Sequence, residues 1–149
     1  MHLPANSGVY FIGIGGISMS SLALILKRRG FRVAGYDFKP SETTRFLQQN
    51  GIPVYDTYAP EHQDGYDTVV FTAAIAETDP ELVYAKARGA VLLSRAALLG
   101  ALVADYPHSI GIAGTHGKST TTGMLAHIFA HSDTDATILA GAVIPSLGS

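Results

Sequence analysis

The chain has 149 residues, of which 47% are hydrophobic and 15% are charged, and its net charge at pH 7 is −2. This length suits one compact domain with a fragment of another, and the small charged fraction argues against long disordered segments. The absence of cysteine excludes disulfides and thiolate chemistry, and the charge disfavours a dedicated nucleic-acid binder. No signal-peptide pattern begins the chain and no apolar run has membrane-spanning length, so we expect a soluble cytoplasmic protein with no membrane partner.

Strand and helix patterns alternate over the first two thirds of the chain. Short apolar runs predict strands over 8–13, 32–36, 53–55, 67–72 and 90–93. Apolar spacing and capping residues predict helices over 17–29, after Ser41, from Pro80 to Gly89, and over 94–103. Five strands with intervening helices predict an α/β fold, a Rossmann-like parallel sheet with helices on both faces.

The run of residues 105–108 (DYPH) breaks this alternation. We therefore predict a first domain over 1–105, and a linker with the beginning of a second domain over 106–149. Residues 109–113 (SIGIA) predict another strand, followed by a glycine-rich loop and a helix over 118–131, and the tail from 136 begins a further strand. Since one strand and one helix cannot bury their apolar faces alone, we expect the chain to end inside its second domain.

The first glycine-rich loop follows a strand and opens a helix, as a dinucleotide-binding loop does. Glycines let the backbone approach a diphosphate closely, and the helix N-terminus offers N–H groups to it. Ser18 replaces the third glycine of the G-x-G-x-x-G pattern, and Asp37 ends the second strand, where an acid commonly binds a ribose hydroxyl. The loop residues are Gly13, Ile14, Gly15, Gly16, Ile17 and Ser18. This pattern alone leaves NAD, FAD, S-adenosylmethionine, a UDP-sugar or an unliganded turn open.

The second glycine-rich loop is a sharper signal, that of a phosphate-binding loop. Its backbone amides would cradle phosphate oxygens, Lys118 would reach the β- and γ-phosphates, and the Ser119 hydroxyl would bind Mg²⁺. The strict pattern needs glycine where Ile112 stands, so the loop is a variant, and an exposed turn with an incidental lysine is the alternative. The loop and the next residue are Gly114, Thr115, His116, Gly117, Lys118, Ser119 and Thr120.

Two such loops in this order resemble those of the muramyl ligases of peptidoglycan synthesis, whose phosphate loop is G-T-x-G-K-[ST]-[ST]. The resemblance covers nearly the whole chain from about Val9, and it departs at Tyr36, where the family has a small residue. The other matching stretches are 11–20 (FIGIGGISMS), 35–37 (GYD), 72–75 (TAAI), 79–81 (DPE) and 94–96 (SRA).

The resemblance implies an ATP-dependent ligase that joins L-alanine to the carboxylate of UDP-N-acetylmuramate through an acyl phosphate, with Mg²⁺ as cofactor. Lys118 would be the catalytic residue, and Ser119, or Thr120 if the loop shifts, would ligate Mg²⁺. The implied UDP-sugar-binding residues are Gly13, Gly15, Gly16, Ile17, Ser18, Asp37, Thr72, Ala73, Ala74 and Ile75. The implied ATP-binding residues are those of the second loop, 114–120. Because the family's later metal-binding acid and C-terminal domain lie outside this chain, we expect the chain alone to be inactive.

Three alternatives remain open at this point. The recycling ligase of the same family attaches a whole peptide to the same sugar, but its first loop usually departs from Gly-Ile-Gly-Gly. An NAD-dependent oxidoreductase or nucleotide-sensing domain would leave the second loop without a role. A P-loop NTPase with a structural N-terminal extension would leave the position of Asp37 unexplained.

Two groups of residues have a structural and a functional interpretation. Tyr55, Tyr58 and Tyr66 are candidates for stacking on uracil, although packing in the core or at its rim is the simpler interpretation. Ser94 and Arg95 precede a helix, where capping is the simpler interpretation and a substrate contact is the alternative.

Overall fold

The computed structural model describes residues 7–141, and the chain separates into two compact units divided between Tyr106 and Pro107. The strands of the first unit are β1 (Gly8–Ile12), β2 (Arg32–Tyr36), β3 (Val54–Tyr55), β4 (Thr68–Phe71) and β5 (Val91–Ser94). Its helices are α1 (Ile17–Arg28), α2 (Glu42–Gln49), α3 (Pro80–Ala87) and α4 (Arg95–Ala104), with a 3₁₀ helix at Pro60–Gln63. In the second unit, the described residues contain one helix, α5 (Lys118–Ala130).

The five strands form one parallel sheet in the order β3-β2-β1-β4-β5, which confirms the predicted fold class. The chain moves from β1 to β2 in one direction across the sheet and from β4 to β5 in the other. Because parallel crossovers are right-handed, α1 and α3 cover opposite faces. The strand order reverses between β1 and β4, and ligands of open α/β sheets bind in the crevice at this point.

The core face beneath α3 is apolar except for the buried Tyr10 hydroxyl and one buried polar pair. Tyr10 of β1 and Val69 of β4 pack there against Leu82 of α3. In the same layer the Gln63 amide donates hydrogen bonds of 2.7 Å to the Glu81 carboxylate and 2.9 Å to the Glu81 carbonyl oxygen. Gln63 and Glu81 are 0% and 1% exposed. A carboxyl group placed this deeply is costly when charged.

Three helix starts predicted from the sequence are confirmed by their caps. Ser41 and Thr44 form a reciprocal capping box at α2, with bonds of 3.2 Å and 2.8 Å. The Asp79 carboxylate accepts the N–H of Glu81 at 3.0 Å at the start of α3. The Ser94 hydroxyl accepts the Ala97 N–H at 3.1 Å at the start of α4, so the capping interpretation of Ser94 holds. These side chains accept amide protons that have no partner within the helix.

The strand predicted over 109–113 was wrong, because these residues form no strand. A strand requires a neighbour that accepts its backbone hydrogen bonds, and the described residues of the second unit offer no second strand. The predicted tail strand begins at residues without strand structure up to 141, and its remainder lies outside the described residues. The helix predicted after the loop is present as α5. Within residues 7–141, no helix is both long and apolar enough to span a membrane.

Candidate nucleotide-binding site

Four predicted segments follow the carboxyl ends of the parallel strands and therefore lie at the same end of the sheet. The first glycine loop follows β1, Asp37 follows β2, Thr72 follows β4, and Arg95 follows β5. The loops after β1 and β4 flank the point where the strand order reverses. This is the crevice in which an α/β sheet of this kind binds a nucleotide.

The first glycine loop is fixed to the end of β2 by its backbone. The carbonyl oxygen of Tyr36 accepts the N–H of Gly13 at 2.8 Å and the N–H of Ile14 at 3.1 Å. Gly13 has a φ of +79°, a conformation that L side chains rarely adopt. The turn into α1 therefore depends on glycine here and is tied directly to the strand that carries Asp37.

Asp37 holds the glycine loop in place. Its Oδ2 accepts the Gly15 N–H at 2.9 Å, and its Oδ1 accepts the Lys39 N–H at 3.1 Å. The Gly15 amide is thus directed at Asp37. The amides in the first turn of α1 lack partners within the helix. A carboxylate has about four acceptor positions, so Asp37 retains capacity for a ribose hydroxyl.

The N-terminus of α1 lies beside a basic side chain from the other half of the sheet. Gly16 is the N-cap and provides no side-chain hydrogen bond, and the first turn contains no acidic residue. The Arg95 guanidinium donates a hydrogen bond of 3.0 Å to the Ser18 hydroxyl, and this bond is partly buried. A guanidinium and the positive end of a helix dipole therefore act at the same place, where an anion would be stabilised by both.

The loop after β4 approaches the glycine loop through Ile75. The hydroxyl of Thr72 accepts the Ala74 N–H at 3.2 Å, and its carbonyl oxygen accepts the Ile75 N–H at 3.1 Å, which makes a tight turn. The Ile75 side chain packs on the core and lies 4.0 Å from where a Cβ of Gly13 would be. Ala73 and Ala74 are exposed at the tip. The structure thus brings Ile75 of this turn next to Gly13 of the glycine loop.

Two of the three tyrosines considered for base stacking are packed in the protein. Tyr55 stacks face to face on His62, with ring centroids 3.6 Å apart. Tyr66 packs against the core, with its ring centroid 5.7 Å from that of Tyr10. Tyr58 is 45% exposed. The core interpretation therefore holds for Tyr55 and Tyr66.

In the second unit, the second glycine loop encloses its own lysine. Gly117 is the N-cap of α5 with a φ of +76°, and no side chain caps the helix. The Lys118 ammonium donates to the carbonyl oxygens of Gly114 at 2.5 Å and Thr115 at 3.3 Å. The Lys118 ammonium and the free backbone amides of the uncapped α5 N-terminus are thus hydrogen-bond donors in the same loop. Phosphate oxygens accept hydrogen bonds from donors of this kind.

Comparison with known proteins agrees with this arrangement. The model of the Mur ligase family, catalytic domain, matches residues 8–107, which is more than half of the chain. The chain belongs to the Mur ligase family. The match covers β1 to α4 and therefore the whole sheet.

The reported relatives include two UDP-N-acetylmuramate–L-alanine ligases and a murein peptide ligase. A UDP-N-acetylmuramate–L-alanine ligase from Caldicellulosiruptor bescii is 48% identical over 139 residues, covering 93% of this chain. The crystal structure of UDP-N-acetylmuramate–alanine ligase from Thermotoga maritima matches with a TM-score of 0.78 and 32% identity over 83% of this chain. A murein peptide ligase from Psychrobacter arcticus matches with a TM-score of 0.74 and 34% identity over 83%. The chain spans only 30%, 29% and 26% of these proteins, respectively.

The sequence did not predict the hydrogen bond between Arg95 and Ser18. Ser94, the neighbour of Arg95, caps α4 as expected, but the guanidinium contacts Ser18, which lies 77 residues away in the chain. The only sequence signal was the position of Arg95 directly after a strand, at the edge of the sheet where ligands bind.

Proposed function

We propose that this chain provides the UDP-N-acetylmuramate-binding unit and the ATP-binding loop of a UDP-N-acetylmuramate–L-alanine ligase. The observation that carries the proposal is that the α1 N-terminus is bonded to Asp37 on one side and to Arg95 on the other. These contacts lie beside the switch point of the sheet, which is the place between β1 and β4 where the strand order reverses. Sequence identity of 48% to an L-alanine ligase over nearly the whole chain supports the choice of substrate.

The diphosphate would lie at the first turn of α1. The amides of Ile17 and Ser18 point out of the helix start, and Arg95 adds a positive charge beside them. Asp37 would accept a ribose hydroxyl with the lone pairs that its bonds to Gly15 and Lys39 leave over. The proposal assigns the remaining UDP-sugar contacts to residues of the loops after β1 and β4: Gly13, Gly15, Gly16, Thr72, Ala73, Ala74 and Ile75.

The reaction requires activation of a carboxylate, which is a poor acyl donor. A carboxylate oxygen of the muramyl group attacks the γ-phosphorus of ATP, ADP leaves, and an acyl phosphate forms. The L-alanine nitrogen then attacks the acyl carbon, inorganic phosphate leaves, and the nitrogen loses a proton. Catalysis of phosphoryl transfer is mainly positioning and charge neutralisation, so Lys118 would stabilise the transferring phosphoryl group.

The residues of the second loop fit a nucleotide with a divalent cation in part. Ser119 presents a hydroxyl in the first turn of α5, and oxygen is the ligand that Mg²⁺ prefers. In the described residues, no cluster of three or more His, Cys, Asp or Glu side chains is placed to hold a metal. We propose that Ser119, with Thr120 next to it, would hold Mg²⁺ together with phosphate oxygens and water. The cation would neutralise phosphate charge. The ATP-binding residues of the proposal are Gly114, Thr115, His116, Gly117, Lys118, Ser119 and Thr120.

Calorimetric titration of this chain in Mg²⁺ buffer tests the proposal. UDP-N-acetylmuramate and UDP are expected to bind, whereas NADH is not. ATP is expected to bind to wild type and to lose affinity in Lys118→Ala, while UDP affinity stays the same in that variant. Binding of NADH without a response to either UDP ligand would contradict the proposal and favour an oxidoreductase or sensor.

Replacing Arg95 is expected to weaken diphosphate binding. Arg95→Ala removes a charged donor beside the α1 N-terminus, and hydrogen bonds to charged groups are worth enough that Kd for UDP should rise about 10- to 100-fold. The matched control is Arg28→Ala, which removes an exposed arginine at the opposite end of α1. Titrations at two salt concentrations should show a weaker salt dependence in Arg95→Ala than in the control. Equal UDP affinity in the two variants would exclude Arg95 from the site.

A further inference from the structure

We infer that Phe38 is the aromatic platform on which the uracil base of the substrate stacks, an inference that rests on the proposed UDP-sugar site. Phe38 is 73% exposed and directly follows Asp37, the acid proposed for the ribose. A base attached to a ribose bound by Asp37 would lie beyond the carboxyl end of β2, near Phe38. The ring would therefore set specificity for a nucleobase and not for the diphosphate.

The backbone on both sides of Phe38 is held in place. Before it, the Asp37 carboxylate binds the Gly15 and Lys39 amides at 2.9 Å and 3.1 Å. After it, the capping box of Ser41 and Thr44 fixes the start of α2. The Thr44 methyl group also lies beside the glycine loop, 3.0 Å from where a Cβ of Gly15 would be. Phe38 thus projects from a short, anchored link that borders the glycine loop.

The other aromatic candidates for base stacking lack this placement. Single exposed apolar side chains are common and need no explanation by themselves. Tyr55 and Tyr66, in contrast, already stack or pack within the protein. Tyr58 is 45% exposed but belongs to the segment between β3 and the 3₁₀ helix, at the far edge of the sheet from the switch point. Phe38 combines exposure with attachment to the acid at the end of β2.

Stacking of a base on an aromatic ring is a known source of affinity that requires no hydrogen-bond pattern. A pre-positioned ring gains this contact at little entropic cost, because its backbone is already ordered. The phosphates would contribute most of the charge-dependent affinity through α1 and Arg95, and Phe38 would distinguish a nucleoside diphosphate from a bare diphosphate.

Calorimetry on this chain separates these contributions. In Phe38→Ala, Kd for UDP is expected to rise about tenfold, within the range for loss of one base–aromatic stack. The affinity for inorganic pyrophosphate should remain that of wild type, and Phe38→Tyr should restore UDP affinity. Phe46→Ala, which removes another exposed phenylalanine, is the matched control and should bind UDP as wild type does. Because Phe38 is exposed, thermal unfolding of Phe38→Ala should match wild type.

A spectroscopic test uses the absence of tryptophan from the chain. Phe38→Trp introduces one indole, whose fluorescence should change on addition of UDP but not of pyrophosphate, whereas Tyr58→Trp should respond to neither. Unchanged UDP affinity in Phe38→Ala, or no fluorescence response of Phe38→Trp under conditions where calorimetry detects UDP, would overturn the inference. If wild type binds no UDP ligand at all, the proposed function fails together with it, and this outcome is distinct because it appears before any variant is made.

Discussion

Gly15→Val is expected to abolish UDP binding and to destabilise the first unit by about 2 kcal/mol, as overpacked sites do. A Cβ at Gly15 would lie 2.7 Å from Asp37 Oδ2 and 3.0 Å from the Thr44 methyl group. Neither neighbour moves freely, because Asp37 also binds Lys39 and Thr44 belongs to the α2 capping box. The loop must therefore shift away from β2, and the first turn of α1 shifts with it. Urea unfolding and UDP titration measure the two effects.

The neighbouring glycine provides the control. A Cβ at Gly16 would lie 3.6 Å from the nearest atom, the carbonyl oxygen of Gly13, and its backbone φ of −65° suits any residue. Gly16→Ala should accordingly change stability far less than Gly15→Ala. A double-mutant cycle of Gly15→Ala with Asp37→Ala should show favourable coupling, since removal of the carboxylate vacates the space. Additive effects would show that the contact with Asp37 is not the cause.

The sheet was predictable because its signals are local. Apolar runs of strand length, helix caps at Ser41, Asp79 and Ser94, and the alternation of strand and helix each depend on a few adjacent residues. The strand predicted over 109–113 had an equally good local pattern, yet no described strand of its unit lies beside it. Pairing is a property of two segments, so one segment alone does not determine it.

The candidate site was predictable in part for the same reason. Gly13, Gly15 and Asp37 follow a known spacing, and the structure brings them together at the switch point. The family resemblance implies that Gly15 contacts the UDP-sugar, and the structure shows its amide bonded to Asp37. The contact of Arg95 with Ser18 depends on where β5 lies relative to β1, which only the strand order provides.

Glu81 lies in the first turn of α3 and supplies the carboxyl group of the buried Gln63–Glu81 pair. Burial raises the pKa of Glu81 above its usual range, and the interactions of its carboxylate with Gln63 and with the Tyr10 hydroxyl only partly offset this effect. Its Oε1 makes no direct hydrogen bond with the described part of the chain, and the same is true of Gln63 Oε1. A protonated carboxyl would supply the missing donor, so the neutral form suits this site better than the charged form.

This shift makes the first unit less stable as pH rises. Glutamate in an unfolded chain ionises at about pH 4.3, whereas Glu81 in the folded chain keeps its proton to a higher pH. Between the two pKa values the folded state binds the extra proton, so the free energy of unfolding falls by up to about 1.4 kcal/mol per pH unit from this group. The stabilisation is complete below the unfolded pKa and is lost once the pH passes the folded pKa.

Substitution of Glu81 is expected to produce two opposite results. Glu81→Gln keeps the shape and an acceptor for Gln63 but cannot ionise, so it should unfold at higher urea concentration than wild type at pH 8 and lose this part of the pH slope. Glu81→Ala leaves a cavity and an unpaired amide in the core, and it should lose about 2–4 kcal/mol at every pH. Glu77→Gln removes an exposed carboxylate two residues before α3's cap and should change little. If Glu81→Gln retained the wild-type pH slope while Glu81→Ala was destabilised, the buried group would be structural but charged, and its neutral form would be excluded.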